Sequence, residues 1–249
     1  MEPVPDDTAL RDRPPDGQAS TATHPLRGAS VLVAGATGGI GGALADELDR
    51  RGAVLTLAGR SRDRLDQMTV PGRRVALDLR TPDACAQAVD AAIVQAGRLD
   101  VVINAVGVAA FGPVVALTVD AMEEVFLTNT FVPIMLAQAA LARMTPGGAI
   151  VNISGVIAEQ NLPGMAAYGA SKAAVRSFDE ALAREARRAK IRVIDARPPH
   201  TETGLAQRPI AGEAPRMPTG LVPGHVAVVI CDALEQGVTD LPSTQFTVP

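Results

Sequence analysis

Short apolar runs alternate with longer segments of mixed polarity through most of this 249-residue chain, beginning near residue 29. Six runs have the length and composition of buried strands: 31–34, 54–58, 75–77, 101–104, 149–153 and 192–195. Four of the segments between them have helical character: 40–51, 82–95, 121–144 and 167–189. Because parallel strands need crossover connections, the alternation predicts one α/β domain, a doubly wound parallel sheet of about seven strands with helices on both faces.

The first 27 residues differ in composition from the rest of the chain. They hold five prolines and eight charged residues but few large apolar side chains. Such a segment cannot bury enough apolar surface to offset its ordering entropy. We therefore expect a flexible tail over 1–27 and a folded domain over 28–249.

Charge and cysteine content exclude several classes of protein. The net charge of −4 disfavours a nucleic-acid-binding protein. Cys85 and Cys231 are too few for a disulfide framework, and no Cys/His cluster has metal-ligand spacing, so we predict no metal site. The uncharged stretch 101–119 contains Asn104 and Pro113 and is better interpreted as a strand entering a loop than as a membrane span. We expect a soluble, cytoplasmic protein with no membrane partner.

A glycine-rich turn follows the first predicted strand. Its residues are Gly35, Ala36, Thr37, Gly38, Gly39, Ile40, Gly41 and Gly42. Glycines permit a tight turn and a close approach of the backbone to a pyrophosphate, and the following helix N-terminus supplies N–H donors. Position at the first strand–helix junction favours a Rossmann-type dinucleotide site over a plain connection.

The end of the second predicted strand indicates which dinucleotide binds. An NAD site commonly has an acidic residue here that holds the ribose hydroxyls, whereas this chain has Arg60, Ser61 and Arg62. Arg60 can engage a 2′-phosphate through a planar, permanently charged fork, so we favour NADP(H) over NAD(H). The alternative is that both arginines simply form a solvated surface.

Tyr168 is the only tyrosine of the chain, and Lys172 lies four residues later on a predicted helix. This spacing places both side chains on one face. A neighbouring ammonium stabilises a phenolate and lowers the pKa of the phenol, which suits the pair to acid–base catalysis.

Together these motifs resemble the short-chain dehydrogenase/reductase family, in its single-domain branch of about 250 residues. The resemblance covers nearly all of the chain after the tail. Further family motifs match, in chain order, Asp78-Leu79, Asn104-Ala105-Val106-Gly107, Asn129, Tyr168-Gly169-Ala170-Ser171-Lys172, Pro198-Pro199 and Thr203. Alanine stands at residue 34, where the family's turn begins with threonine, and Pro199 replaces the glycine of a Pro-Gly motif.

The resemblance implies the role of each matching residue. Tyr168 would exchange a proton with the substrate oxygen, Lys172 would hold the nicotinamide ribose and lower the tyrosine pKa, and Asn129 would relay protons through water. The hydride would pass between the nicotinamide and a substrate carbonyl or carbinol carbon. The cofactor contacts implied, beyond the glycine-rich turn, Arg60 and Ser61, are Asp78, Leu79, Asn104, Ala105, Gly107, Tyr168, Lys172, Pro198, Thr201 and Thr203.

One position departs from the family pattern. The catalytic serine of the family falls thirteen residues before the tyrosine, where this chain has Gly155. Ser154 is adjacent, but neighbouring side chains on an extended strand point to opposite faces. Three alternatives stay open: Ser154 fills the role, substrate or water supplies the donor, or the site is weakened.

The substrate pocket is expected beyond the carboxyl ends of the strands, between 108–114, 156–165 and a lid over 204–220. The expected substrate-contacting residues are Phe111, Gly155, Val156, Leu162, Met165 and His200. The apolar members favour a lipophilic ketone or secondary alcohol, and His200 is either structural or a substrate contact. By analogy with the family, helices 121–144 and 167–189 would pack subunits into a homodimer or homotetramer.

Three functions follow from these observations. The first is an NADP(H)-dependent oxidoreductase, the second a non-redox enzyme such as a dehydratase or isomerase, prompted by Gly155, and the third a module that senses NADP(H). Retention of Asn129, Tyr168 and Lys172 favours the first, because a pure binding protein has no evident use for the asparagine.

Overall fold

The computed structural model describes residues 25–247, so the predicted tail lies outside the described residues except for 25–27. Within those three, Leu26 is fully buried in the core. The packed part of the chain therefore extends at least two residues before the expected start of the domain.

Within residues 25–247, a sheet of seven parallel strands forms the centre of the fold. The strands are β1 (Ser30–Ala34), β2 (Val54–Gly59), β3 (Arg73–Ala76), β4 (Val101–Asn104), β5 (Ala149–Ile153), β6 (Arg192–Ala196) and β7 (Asp240–Leu241). Their order across the sheet is β3-β2-β1-β4-β5-β6-β7. The order reverses between β1 and β4, and in such sheets the crevice beyond the carboxyl ends at the reversal is where ligands bind.

In the described part of the chain, seven α-helices accompany the sheet. They are α1 (Gly39–Arg50), α2 (Arg62–Asp66), α3 (Pro82–Ala96), α4 (Val119–Phe126), α5 (Val132–Leu141), α6 (Ala166–Ala186) and α7 (Pro223–Gln236). Local chemistry fixes several ends: α3 begins where the Thr81 side chain accepts from the N–H of Ala84, and it stops at Gly97, whose φ is 74°. A side-chain cap and a left-handed glycine are the residues such ends favour.

Strand alternation divides the apolar core between the two faces of the sheet. Along β1, Val31 and Val33 belong to one buried cluster, which includes residues of α1 and α7. Leu32 and Ala34 belong to the opposite cluster, which includes residues of α3, α5 and α6. The two-residue period of the strand thus produces helix layers on both faces, as the sequence predicts.

The predicted helix 121–144 is not uniform. It comprises α4 and α5 joined by a π-helical turn, Leu127–Phe131. The continuous helix Val119–Leu141 is long and apolar enough to cross a membrane, but half of its most apolar window is buried inside this fold. Sequence periodicity did not predict α2, α7 or the two-residue β7.

Candidate active site

A cavity of about 280 Å³ opens at the carboxyl ends of β1, β2 and β4. Among the predicted cofactor contacts, it is lined by Gly35, Thr37, Gly38, Gly39, Ile40, Arg60, Ser61, Asp78, Leu79, Ala105, Gly107 and Thr203. Lining residues that the sequence analysis missed include Arg64, Arg80, Thr128, Leu205 and Arg208. The remaining predicted contacts, which do not line this cavity, are Gly41, Asn104, Tyr168, Lys172, Pro198 and Thr201.

The glycine-rich turn forms the floor of the cavity at the N-terminus of α1. A Cβ on Gly41 would overlap the carbonyl oxygen of Gly35, and one on Gly39 would lie 2.5 Å from the Cβ of Thr203. Gly38 caps α1 without any side-chain acceptor, which leaves first-turn N–H groups available to an external anion. The turn is therefore shaped for close backbone contact with a pyrophosphate.

Two arginines line the cavity at the carboxyl end of β2 and in α2. Arg60 is exposed, and among residues 25–247 it has no hydrogen-bond or ion-pair partner. Arg64 lies one turn into α2 and donates to the carbonyl oxygen of Thr37. Arg62 does not line the cavity and donates to the carbonyl of Arg74 at 3.4 Å. Arg60 and Arg64, rather than Arg60 and Arg62, provide the positive charge at this end.

Asp78, predicted to contact the cofactor, is already engaged. Arg80 donates to both of its carboxylate oxygens, at 2.5 to 3.0 Å, and also bonds Glu124 at 2.7 Å. The Arg80 guanidinium holds the pKa of Asp78 below its ordinary value. Arg80 lies outside the Asp78-Leu79 motif of the family, so its place in the cavity wall is evident only from the structure.

Asn129 lies at the centre of the π-helical turn and is fully buried. Its side chain exchanges two hydrogen bonds with the backbone of Val108, both at 2.9 Å, and donates to the hydroxyl of Ser171 at 3.0 Å. A single π turn inside an α-helix frequently marks a functional position. Here it fixes Asn129 between the loop after β4 and helix α6.

Lys172 is buried, and its Nζ donates to the carbonyl oxygen of Ile153 at 2.7 Å. Desolvation lowers its pKa to about 8, against the opposing charge of Asp195. Burial also raises the pKa of Tyr168 to about 12. In this structure the ammonium is held at Ile153 and the phenol lies among apolar groups, so the expectation that Lys172 lowers the tyrosine pKa stays a prediction for the protein with cofactor bound.

Gly107 connects the cavity to these residues. It lines the cavity, and a Cβ built on it would lie 3.5 Å from Asn129 Oδ1 and 3.6 Å from Lys172 Nζ. Both are ordinary contact distances, so Gly107 lies between the cavity wall and the two buried polar groups.

Ser154 is buried, and its hydroxyl donates to Asp195 Oδ1. The structure assigns the hydroxyl to this interior contact and not to Tyr168, as the alternation of side chains along a strand indicates. At Gly155 the backbone has φ 85° and ψ 164°, a conformation essentially restricted to glycine. Neither residue therefore stands as a ready replacement for the serine of the family.

An apolar cluster surrounds the ring of Tyr168. It contains Ala109, Phe111, Ile157 and Met165, with Leu205, Ala206, Ala214 and Met217 packed against them. The rings of Phe111 and Tyr168 are 6.5 Å apart at 58°. Phe111 and Met165 thus lie where the sequence analysis expects them, whereas Val156 and Leu162 are outside the cluster and Leu162 is half exposed.

Segment 204–220 packs over this cluster; its middle is bonded to the loop after β4, and the residues that flank it are bridged to each other. Phe111 N–H donates to Ala211 at 2.9 Å and Ile210 N–H donates to Ala109 at 2.8 Å, while Thr201 and Leu221 form a second bridge.

Four further residues predicted to contact cofactor or substrate form bonds within the protein, near this segment or at the end of β4. His200 Nε2 lies 3.4 Å from Glu202 Oε1 at its base, and the Thr201 hydroxyl donates to the Pro199 carbonyl at 2.9 Å. The Asn104 side chain accepts from Val106 N–H at 3.3 Å. The Pro198 carbonyl in turn accepts from Val156 N–H at 2.9 Å.

The family model of the short chain dehydrogenases matches residues 29–213, from the first strand into the middle of the lid. The chain belongs to this family. A curated relative, the hydroxynaphthalene reductase arp2 of Aspergillus fumigatus, is 32% identical over 174 residues, which span 66% of this chain and 63% of that protein. This short chain dehydrogenase is thus similar to named oxidoreductases of the family, and the alignment spans less than two thirds of that relative.

Solved structures share its fold. A short chain dehydrogenase from Burkholderia cenocepacia in complex with NADP has a TM-score of 0.78 at 24% identity, with 90% of this chain and 100% of that chain covered. One from Burkholderia phymatum in complex with NAD has a TM-score of 0.80 at 22% identity, with 88% and 90% covered. At these identities the likeness establishes the fold, and the two complexes contain different nicotinamide cofactors.

Proposed function

We propose that this short chain dehydrogenase transfers hydride between NADP(H) and a ketone or secondary alcohol of a lipophilic small molecule, with Tyr168 as acid and base. The observation that supports the proposal is the position of Gly107, which lines the nucleotide cavity and lies beside Asn129 and Lys172. A nucleotide site alone would need neither group.

The bound nicotinamide supplies the hydride chemistry, and the protein positions it and handles the proton. With the cofactor bound, Lys172 would hold the ribose in place of the carbonyl of Ile153 and, as a cation close to the phenol, would lower the pKa of Tyr168 from its raised value. Tyr168 then exchanges a proton with the substrate oxygen. Asn129, held by Val108 and Ser171, keeps the loop after β4 in place beside the lysine.

Arg60 supports NADP(H) as the cofactor. Its guanidinium is exposed at the cavity end with no partner among residues 25–247, and no acidic residue lies between Gly59 and Arg62 to repel a 2′-phosphate. Arg64 adds a second positive charge at the same end.

The apolar cluster around Tyr168 supports a lipophilic substrate. Phe111, Ile157 and Met165 offer no hydrogen-bonding group to a sugar or a phosphate. The similarity to a hydroxynaphthalene reductase agrees with a bicyclic aromatic or comparably apolar substrate.

Tyr168→Phe tests the acid–base role. Loss of the hydroxyl is expected to lower kcat about 100- to 10,000-fold, as is usual for removal of a general acid, while the Kd of NADPH stays within a factor of three. Turnover is measured by NADPH absorbance over a panel of apolar ketones, and binding by NADPH fluorescence. Turnover that survives the substitution would show that another group transfers the proton.

A non-redox reaction is the second candidate, because Ser154 is bonded to Asp195 and Gly155 has no side chain. The discriminating variants are Gly155→Ser and Gly155→Ala, which share the backbone strain and differ only in a hydroxyl. If the Gly155→Ser variant oxidises NADPH but the Gly155→Ala variant and the parent protein do not, the parent site no longer transfers hydride. That result would favour the non-redox reaction.

A further inference from the structure

Beneath Lys172, a layer of buried polar side chains separates α6 from the sheet. Asn152, Ser154 and Asp195 contribute from the sheet side, and Lys172 and Asp179 from the helix; all five are at least 94% buried. Apolar residues fill most of the corresponding interface elsewhere. Polar groups are costly to bury, so their concentration behind one lysine calls for an explanation.

Strand geometry shows that these groups face one another. Asn152 on β5 is paired in register with Asp195 on β6, and Ser154 lies two residues after Asn152, so all three point to the same face. The Asn152 amide donates to Asp179 Oδ1 at 2.7 Å, which identifies this face as the one covered by α6. Lys172 lies two helical turns before Asp179 on α6 and donates to Ile153, the residue between Asn152 and Ser154.

Asp195 carries the negative charge of this layer. Ser154 donates to its Oδ1, and Arg197 donates to its Oδ2 at 2.5 Å. Two donors, one of them a cation, compensate the burial of this carboxylate inside the protein. Asp179 has only the Asn152 amide and an Oδ2 with no partner among the described residues, and its raised pKa of about 8 keeps it neutral at pH 7.

From this arrangement we infer that Asp195 is a positioning residue for the catalytic lysine: its buried carboxylate, fixed by Ser154 and Arg197, keeps the ammonium of Lys172 charged in a desolvated site. Ser154 then serves the reaction indirectly, by orienting Asp195. The inference rests on the proposed function only for the role of Lys172; the electrostatic coupling itself does not depend on any substrate.

The other charged groups near the layer do not replace Asp195. Arg197 bonds Glu159 at 2.5 Å and Asp240 at 2.6 Å on its other edges, so it balances two further carboxylates. Glu124, from the helix packed on α6, is engaged by Arg80 and Thr128. Tyr168 is neutral across the physiological range.

The test measures the titration of Lys172 directly. The chain has two lysines, Lys172 and Lys190, so protein labelled with ¹³C at lysine Cε gives two signals, assigned with Lys190→Arg. Lys190 is exposed and serves as the internal reference. Asp195→Asn keeps an acceptor for Ser154 and removes the charge, and we expect it to move the midpoint of Lys172 downward by about 1 pH unit.

Asp240→Asn is the matched control. It removes a different carboxylate from Arg197, one whose side chain is 70% exposed. We expect the Lys172 midpoint to stay within 0.2 units of the parent, an order of magnitude set by solvent screening. If Asp195→Asn does not fold, Asp195→Ser, which is also neutral and offers a hydroxyl to Arg197, takes its place with the same expected shift.

Equal Lys172 midpoints in the parent, Asp195→Asn and Asp240→Asn proteins would overturn the inference. The measurement needs no substrate, so it fails or succeeds separately from the proposed oxidoreductase activity. Where a ketone substrate is turned over, the alkaline limb of the kcat/KM profile should move to lower pH in Asp195→Asn by the same shift, which a purely structural role would not produce.

Discussion

Gly155 stands where the family has its catalytic serine, so this position offers no hydroxyl. The space around it would admit a side chain, since the nearest atom to an added Cβ, the Pro198 carbonyl oxygen, lies 3.7 Å away. The obstacle is the backbone, whose φ of 85° disfavours any L-residue. The position where the family has a serine is therefore built around glycine in this chain.

Gly155→Ala should lower the free energy of unfolding by about 1–3 kcal/mol, the usual cost of holding a residue in this region of backbone space. Urea denaturation measures the change. Gly224→Ala is the control, because Gly224 lies in the first turn of α7 with open space around it and should tolerate the methyl group without loss. Equal stabilities of the two variants would mean that the loop relaxes freely.

The charge of Arg60 should strengthen the binding of NADPH and leave the binding of NADH unchanged. Arg60→Ser should raise the Kd of NADPH about 10- to 100-fold through loss of a charge-assisted contact, with the Kd of NADH unchanged. Arg62→Ser is the matched control, because that neighbouring guanidinium bonds Arg74 outside the cavity. Fluorescence titration with NADPH and with NADH measures the Kd values. An equal rise in the Kd of NADPH in both variants would indicate that the arginines attract the cofactor only through their general surface charge.

Among the elements, the lid over 204–220 depends on a short backbone bridge to the loop after β4. Ala110 pairs with Ala211, and the next residue, Gly212, has φ 68°. A Cβ on Gly212 would overlap the carbonyl oxygen of Phe111. The lid can therefore close over Tyr168 only because glycine stands beside the bridge.

Gly212→Ala should release the lid. Loss of the two hydrogen bonds that flank the bridge is worth about 1–3 kcal/mol and should speed tryptic cleavage after Arg216, an exposed lid residue, about tenfold. Cleavage is followed by mass spectrometry of the intact protein. Cleavage at the parental rate would show that the bridge does not hold the lid closed.

At the scale of the whole molecule, the buried polar layer couples stability to pH. Burial raises the pKa of Asp179 to about 8, far above the ordinary value of 3.8. The folded protein therefore holds a proton that the unfolded chain releases between these values. The contribution of Asp179 to the free energy of unfolding is therefore fully present below about pH 4 and is lost as the pH rises through 8.

Asp179→Asn should consequently flatten the pH dependence of stability. Between pH 5 and pH 8 the variant should lose less unfolding free energy than the parent, whatever its absolute stability. Urea denaturation across that range gives the slopes. Glu180→Gln, the exposed neighbour paired loosely with Arg176 at 3.5 Å, should keep the parental slope. A parental slope in Asp179→Asn would place the titration on another group.

The local hydrophobic pattern of the sequence was sufficient to predict the position of several strands and helices. Strand β4 and strand β5 begin and end at the predicted residues, because each is a short, mostly apolar run that leaves few alternatives. Helix α7 was missed: its segment begins with a proline and a glycine and follows a loop rich in both. The seventh strand, at two residues, is too short to produce a pattern.

The sequence by itself determined the parallel sheet, the glycine-rich turn and the position of Tyr168 and Lys172 one turn apart on a helix, because each follows from the local pattern of a strand, a turn or a helix. Only the tertiary structure decided that Ser154 bonds Asp195, that Arg64 and Arg80 reach the cavity, and that burial raises the pKa of Tyr168 while lowering that of Lys172. These outcomes depend on which distant segments exclude water from a side chain, and desolvation is a property of the packed whole.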